Sequence, residues 1–197
     1  MGKALVVLIS GSGTNLQALL DAHDLGGDVR LVASDRPEAT GLERAERAGV
    51  PAAAVAPRDH PDRAAWETAL EQTVADAAPD LVVLAGFMRI LSPRFVGRWP
   101  LLNVHPSLLP AFPGAHAVEE ALAWGVKQTG VTVHFVDEQV DHGPVVAQEA
   151  VVVEPDDTPE TLHERLHAVE HRLLPEAVRL FCQDRLTLEG RHVRILS

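Results

Sequence analysis

Short apolar runs recur along this chain, and a stretch with helical spacing separates each from the next. The runs are ALVVLIS, VRLVAS, a weaker AAAVA, then LVVLAG, LLNVH and VTVHFV. Between them lie NLQALLDAH, GLERAERAG, the segment from Asp62 to Ala77, MRILSPRFVGRW and HAVEEALAWG. An unbroken apolar run suits a strand covered on both faces, as in a parallel sheet with helices above and below. The alternation therefore predicts an α/β fold: a mostly parallel, twisted sheet with helices on both faces. The C-terminal half departs from this pattern. VVAQEAVVV follows VTVHFV after a short loop, which predicts an antiparallel pair. A long helix is expected from about Thr158 to Gln183; Pro159 favours its start, and Pro175 is expected to kink it. LTLEGRHVRIL reads as a short hairpin turning at Glu189-Gly190.

Length and composition set outer bounds. With 197 residues, 46% of them hydrophobic, the chain suits one domain with a substantial core. We expect a single domain over 1–197, with a phosphate-binding half to about 100 and a catalytic half beyond it. One cysteine, Cys182, leaves no internal disulfide framework and suits a reducing cytoplasm. The N-terminal run leads straight into a Gly-rich loop and so reads as a first strand rather than a signal peptide. Val6 stands where a lipidation motif after Gly2 would carry Ser or Thr. No apolar run approaches a membrane span. A formal net charge of −11 argues against nucleic acid or anionic lipid as partner. It leaves open a phosphorylated small molecule, because helix-start N–H groups bind phosphate without a basic surface.

Four motifs carry chemistry. The turn Gly11 to Asn15 joins the first strand to the first helix, where freed N–H groups with Thr14 and Asn15 can hold a phosphate. A plain capped turn is the bland alternative. A dinucleotide site, with Asp35 as ribose acid, fits less well because Leu16 occupies the place of a third glycine. HERLH, from His163 to His167, matches a zinc-hydrolase pattern with Glu164 as base. With 10 histidines in the chain the pattern arises by chance in roughly a few chains per hundred of this composition, so alone it is weak, and the segment reads better as a polar face of a surface helix. In LLNVHPSLLP, Asn103 and His105 are two apart on a strand and share one face, while Val104 points into the core. Pro106 holds His105 extended and ends the strand. By the same period Thr132 and His134 share a face in VTVHFV, and the following loop offers Asp137, Glu138, Asp141 and His142. An acid from this loop beside His105 would favour its charged form.

In this order, SGSGTNLQAL, AGFMRIL, NVHPSLLPAFPG, TVHFV and DHGPV resemble the folate-dependent formyltransferases, and among them the phosphoribosylglycinamide formyltransferase branch. The resemblance covers nearly the whole chain. It implies a Rossmann-like formyltransferase fold. It implies transfer of the formyl group of 10-formyltetrahydrofolate to the amine of glycinamide ribonucleotide, a step of purine synthesis, with no metal. It implies Asn103, His105 and Asp141 as catalytic residues. Substrate phosphate is expected on Gly13, Thr14 and Asn15, with His167 nearby and Glu170 on the ribose. The folate is expected against Met88, Arg89, Ile90 and Leu91, with Asn103 and Val140 in contact and Arg63 near its anionic end. A cytoplasmic monomer or homodimer is expected. Two departures stand out: Thr132 replaces a frequent serine, and His142 replaces a frequent glycine. His142 is expected to compete with His105 for Asp141.

Overall fold

The computed structural model describes residues 2–196. Among them, seven strands form one sheet in the order β3-β2-β1-β4-β5-β6-β7. β1 (Lys3–Ile9), β2 (Gly27–Ser34), β3 (Ala52–Ala54), β4 (Leu81–Leu84) and β5 (Leu101–His105) run parallel. β6 (Gln128–Phe135) and β7 (Val145–Val152) are antiparallel additions at one edge. The helices are α1 (Thr14–Asp21), α2 (Thr40–Arg47), α3 (Arg63–Asp76), α4 (Pro93–Val96), α5 (Ala117–Trp124) and α6 (Pro159–Cys182). A separate hairpin, β8 (Leu186–Glu189) with β9 (His192–Ile195), closes the described chain.

The pleat explains why the early strands are apolar throughout. On β1, Leu5, Val7 and Ile9 pack on one face with Leu16, Leu19, Leu166 and Leu174 of α1 and α6. Val6 and Leu8 pack on the other with Trp66, Leu70 and Val74 of α3. Full burial of such a side chain contributes about 1.5–3 kcal/mol, so both faces hold the strand. α6 buries Leu162, Leu166, Leu173, Leu174, Ala177 and Val178, a stripe at helical spacing, and it continues through Pro175 to Cys182. Its start carries a capping box in which Thr158 and Thr161 bond reciprocally.

One expected helix is mostly absent. MRILSPRFVGRW contains only the short α4, which starts where Ser92 caps the N–H of Phe95 and Pro93 takes the first helical position. Met88 to Leu91 form instead an irregular segment beyond β4.

Strand order reverses between β1 and β4: the chain leaves β1 toward β2 and β3, then crosses to β4 and β5. Loops after β1 and β4 therefore diverge, and a crevice opens at their carboxyl ends. The site lies there.

Candidate active site

The crevice is a cleft of about 820 Å³ lined by the turn after β1, the segment after β4, β5 itself, the β6–β7 loop and the first turns of α6. Three of its walls correspond to the groups expected from the sequence.

The first wall is the turn Ser10 to Asn15. Gly13 has φ +70, and a Cβ placed on it would lie 2.6 Å from the Cα of Gly41, so only glycine lets the turn sit on α2. Gly41 N–H donates to Gly11 O at 3.1 Å, and Arg44 Nε donates to Ser12 O at 2.8 Å, bracing the turn from below. No side chain caps α1. The expected alternative, a Thr or Asn cap, is thus not what these residues do. Asn15 instead reaches across to α6 and donates from Nδ2 to Glu170 Oε2 at 2.8 Å. Asn15 is only 7% exposed, and its Oδ1 has no partner. A buried acceptor left open in a cleft wall is a ready place for a ligand hydroxyl or amine. Burial raises the pKa of Glu170, and the Asn15 amide together with His163, His171 and His105 opposes that rise.

The second wall is the polar group on β5 and β6. Asn103 lies directly opposite His134 in the antiparallel ladder, and His105 lies opposite Thr132. His105 Nε2 is 2.8 Å from Phe112 O, and a carbonyl only accepts, so Nε2 carries a proton. Proton exchange at His105 is therefore confined to Nδ1, which faces Asp141 Oδ2 at 3.4 Å. The same reasoning puts a proton on His134 Nδ1, 2.8 Å from Phe135 O. The neutral ring then offers a lone pair at Nε2, which accepts from Asn103 Nδ2 at 3.1 Å. The second amide proton of Asn103 points toward Asp141 Oδ1 at a long 3.4 Å. His134 was not assigned a role from the sequence, and the period that pairs it with Thr132 was the available signal. Thr132 is not in this group. Its buried hydroxyl donates to Ser107 O at 2.7 Å and accepts from Leu109 N–H at 3.1 Å, fixing the segment after β5.

Asp141 is held in the left-handed region at φ 49, as is Phe112 at φ 50. Such positions cost roughly 1–3 kcal/mol for most side chains, though Asp tolerates this region better than others. Burial works against the Asp141 charge. The Gly114 N–H at 2.7 Å and the His105 ring oppose it, and the carboxyl sits below its ordinary pKa. The group is thus a carboxylate with a histidine on either side. His142 does not compete for it. Its Nδ1 turns away to Asp137 Oδ2 at 2.7 Å, and its carbonyl accepts from Arg191 Nη2 at 2.5 Å. The left-handed turn at Asp141 sends consecutive side chains in opposite directions, which sequence adjacency concealed.

The third wall is Met88 to Leu91. Met88 and Ile90 are 62% and 63% exposed, while Leu91 is buried at 8%. Val140, 51% exposed, faces the cleft from the opposite loop. An apolar wall left open beside a polar centre suits a flat, amphipathic ligand. Arg63 does not line the cleft. It opens α3 and donates from Nη2 to Ile90 O at 2.6 Å, bracing the wall from its rim.

Two sequence alternatives meet specific geometry. Asp35 cannot serve as a ribose acid: its side chain is fully buried and both oxygens are occupied, by Ser10 Oγ at 2.6 Å and Arg89 Nε at 2.7 Å. In HERLH, the His163 and His167 ring centroids lie 4.1 Å apart at a tilt of 43°, and His171 stacks on His167 at 5.7 Å. Among the described residues, no group of three or more His, Cys, Asp or Glu side chains is placed to hold a metal ion. His163 and His167 line the cleft instead, beside the turn at Asn15.

A doubly wound sheet with an amide, an imidazole and a carboxylate converging in the cleft beside its switch point is the architecture of an α/β enzyme. The chain belongs to the formyl transferase family, whose model matches residues 3–178. It is 50% identical over 191 residues to phosphoribosylglycinamide formyltransferase of Mycobacterium tuberculosis, covering 95% of this chain and 88% of that one. It is 43% identical over 189 residues to the human trifunctional purine biosynthetic protein adenosine-3, covering 93% of this chain and 19% of that longer protein. The solved structure of glycinamide ribonucleotide transformylase 1 from Symbiobacterium toebii superposes with a TM-score of 0.96 at 51% identity, over all of this chain and 95% of that one. The parallel sheet with an antiparallel C-terminal edge, expected from the sequence, is the fold of these enzymes.

Proposed function

We propose that this enzyme transfers the formyl group of 10-formyltetrahydrofolate to the amine of glycinamide ribonucleotide. The observation that carries the reading is the convergence of Asn103, His105 and Asp141 between an uncapped helix start and an open apolar wall. Substrate phosphate sits on the N–H groups of Gly13, Thr14 and Asn15, with His167 beside it. A ribose hydroxyl donates to the open Oδ1 of Asn15 next to Glu170. The folate lies on Met88, Arg89, Ile90 and Leu91 and under Val140, with Arg63 beyond Ile90 toward its acidic end.

The amine attacks the formyl carbon, a C–N bond forms, and the carbonyl oxygen becomes an oxyanion. Two donors reach that position. One is Nδ1–H of His105, the ring atom that faces the Asp141 carboxylate. The other is the Asn103 amide proton that makes only the long contact to Asp141, while His134 keeps the other proton and the plane of the amide. One such donor contributes about 3–4 kcal/mol to the transition state. The bond from carbon to the folate nitrogen then breaks. The amine loses one proton and the folate nitrogen gains one, so tetrahydrofolate and the formylated amine leave with no net proton change. Nδ1 of His105 is the atom that relays the proton, because Nε2 is committed to Phe112.

The chain works as one domain on this reading, in a reducing cytoplasm. The phosphate turn of the first half and Glu170 of the second meet in one subsite. Release of tetrahydrofolate from 10-formyltetrahydrofolate, followed spectroscopically with and without glycinamide ribonucleotide, tests the function. Release that depends on the amine is expected. Equal release without it would indicate hydrolysis and overturn the proposal.

A further inference from the structure

Ser10 and Asp35 lie just outside the groups used above, and both are nearly sealed from solvent, at 3% and 2% exposure. Ser10 closes β1 and begins the phosphate turn. Its N–H donates to Gly86 O at 3.1 Å, and its hydroxyl accepts from Met88 N–H at 2.8 Å. The same hydroxyl donates to Asp35 Oδ1 at 2.6 Å. The second oxygen of Asp35 takes Nε of Arg89 at 2.7 Å. One buried carboxylate thus fixes two points of the segment from Gly86 to Leu91: the backbone at Met88 through Ser10, and the side chain at Arg89 directly. Arg89 remains 45% exposed at its side chain and lines the cleft, with its Nε held by Asp35. A buried carboxylate costs free energy unless paired, and this one is paired only with elements of the cleft wall. Nothing in the proton chemistry requires it.

We infer that Asp35 is a positioning residue for the folate wall, acting through Arg89 and the Ser10 hydroxyl to set the pose of Met88 to Leu91. The inference rests on the proposed folate site. In Asp35→Asn the side chain keeps its shape but loses its charge. Its NH₂ then faces either Arg89, a donor, or Ser10 Oγ, whose own proton loses its acceptor. Either orientation weakens the hold on one of the two points.

The test is steady-state kinetics with each substrate varied in turn, on Asp35→Asn, Arg89→Met and the double variant. Asp35→Asn is expected to raise KM for 10-formyltetrahydrofolate about tenfold, equivalent to about 1.4 kcal/mol. KM for glycinamide ribonucleotide and kcat are expected to stay within about twofold. In the Arg89→Met background, Asp35→Asn is expected to add much less than it costs alone, because the two act as a pair. An unchanged folate KM overturns the inference. So does a loss shared equally by both substrates and kcat, the mark of general loosening. If Asp35→Asn does not fold, Ser10→Ala must show the same selective rise, and its absence counts equally against the idea. Failure of the proposed function is read separately: wild type would then transfer no formyl group to the amine, and calorimetric binding of folic acid to wild type and Asp35→Asn would still have to differ.

Discussion

Gly143 offers a sharp test of how tightly Asp141 must be held. A Cβ built on Gly143 would lie 1.8 Å from Phe135 O and 3.2 Å from Asp137 N. Overlap of this kind is relieved only near 3 Å, so Gly143→Ala moves backbone by more than about 1 Å. Phe135 belongs to β6, paired on both sides in the sheet, and its N–H is bonded to Pro144 O at 2.9 Å. The loop is the softer partner and gives way. Asp141 lies two residues upstream, and its firmest contact is the 2.7 Å bond from Gly114 N–H. A shift of that size breaks this bond and carries the carboxylate away from His105. Gly143 is thus a point of close approach.

The expected magnitude follows. Overpacking at one site costs about 1–3 kcal/mol of stability. Misplacing a reacting group by about 1 Å costs about 10²-fold in rate, or about 2.7 kcal/mol. Gly143→Ala should therefore lower kcat about a hundredfold while thermal denaturation still shows a folded protein at assay temperature. The phosphate turn is remote from the clash, so KM for glycinamide ribonucleotide should change little. A kcat within about threefold of wild type in a folded variant would refute the argument, since it would mean Asp141 tolerates the displacement.

His105→Ala should reduce kcat by about 10²–10³-fold, the range for a lost oxyanion donor, while calorimetry still detects folate binding; near-normal turnover would remove its role. Thr14→Ala with Asn15→Ala should raise KM for glycinamide ribonucleotide more than KM for the folate, and equal losses would move the phosphate elsewhere. The neighbouring histidines of α6 predict a pH effect on stability. Burial lowers the pKa of His163, His167 and His171 from 6.5, and the facing ring of His167 adds to this at His163 and His171, where Glu170 opposes it. Between the lowered values and 6.5 the unfolded chain binds more protons, so stability falls on acidification through that window. Glu170, with a raised pKa, acts in the opposite sense, losing stability as pH rises through its folded value. Replacing the three histidines by Gln should flatten the fall in melting midpoint below about pH 6.5, and an unchanged slope would contradict the assignment.

The readable and unreadable parts of this site divide along a physical line. Side-chain period on one strand is local, so the shared face of Asn103 and His105 followed from spacing alone. The left-handed glycine of the phosphate turn was similarly local. Partnerships across the sheet were not. His134 meets Asn103 only because β6 pairs antiparallel in a particular register, 31 residues away. Asp35 meets Arg89 across 54 residues and two parallel strands. Met88 to Leu91 carry apolar residues at near-helical spacing, yet Pro93 and the Ser92 cap start the helix later. His142 adjoins Asp141 in sequence but is turned from it by one left-handed residue.

The same distinction bears on HERLH. Residues at i and i+4 on a helix share a face whatever that face is for, so the motif specifies proximity and nothing more. What gives the segment its use is Glu170, one turn on, drawn to Asn15 across 155 residues. That bond fixes α6 against the start of α1 and leaves one amide acceptor open in a sealed wall. With the acceptor open, a ligand hydroxyl gains a hydrogen bond without displacing a protein partner. If Asn15→Ala lost no more affinity for the ribonucleotide than for the folate, that account of α6 would fail, and the histidine column would be left as an ordinary half-buried helix face.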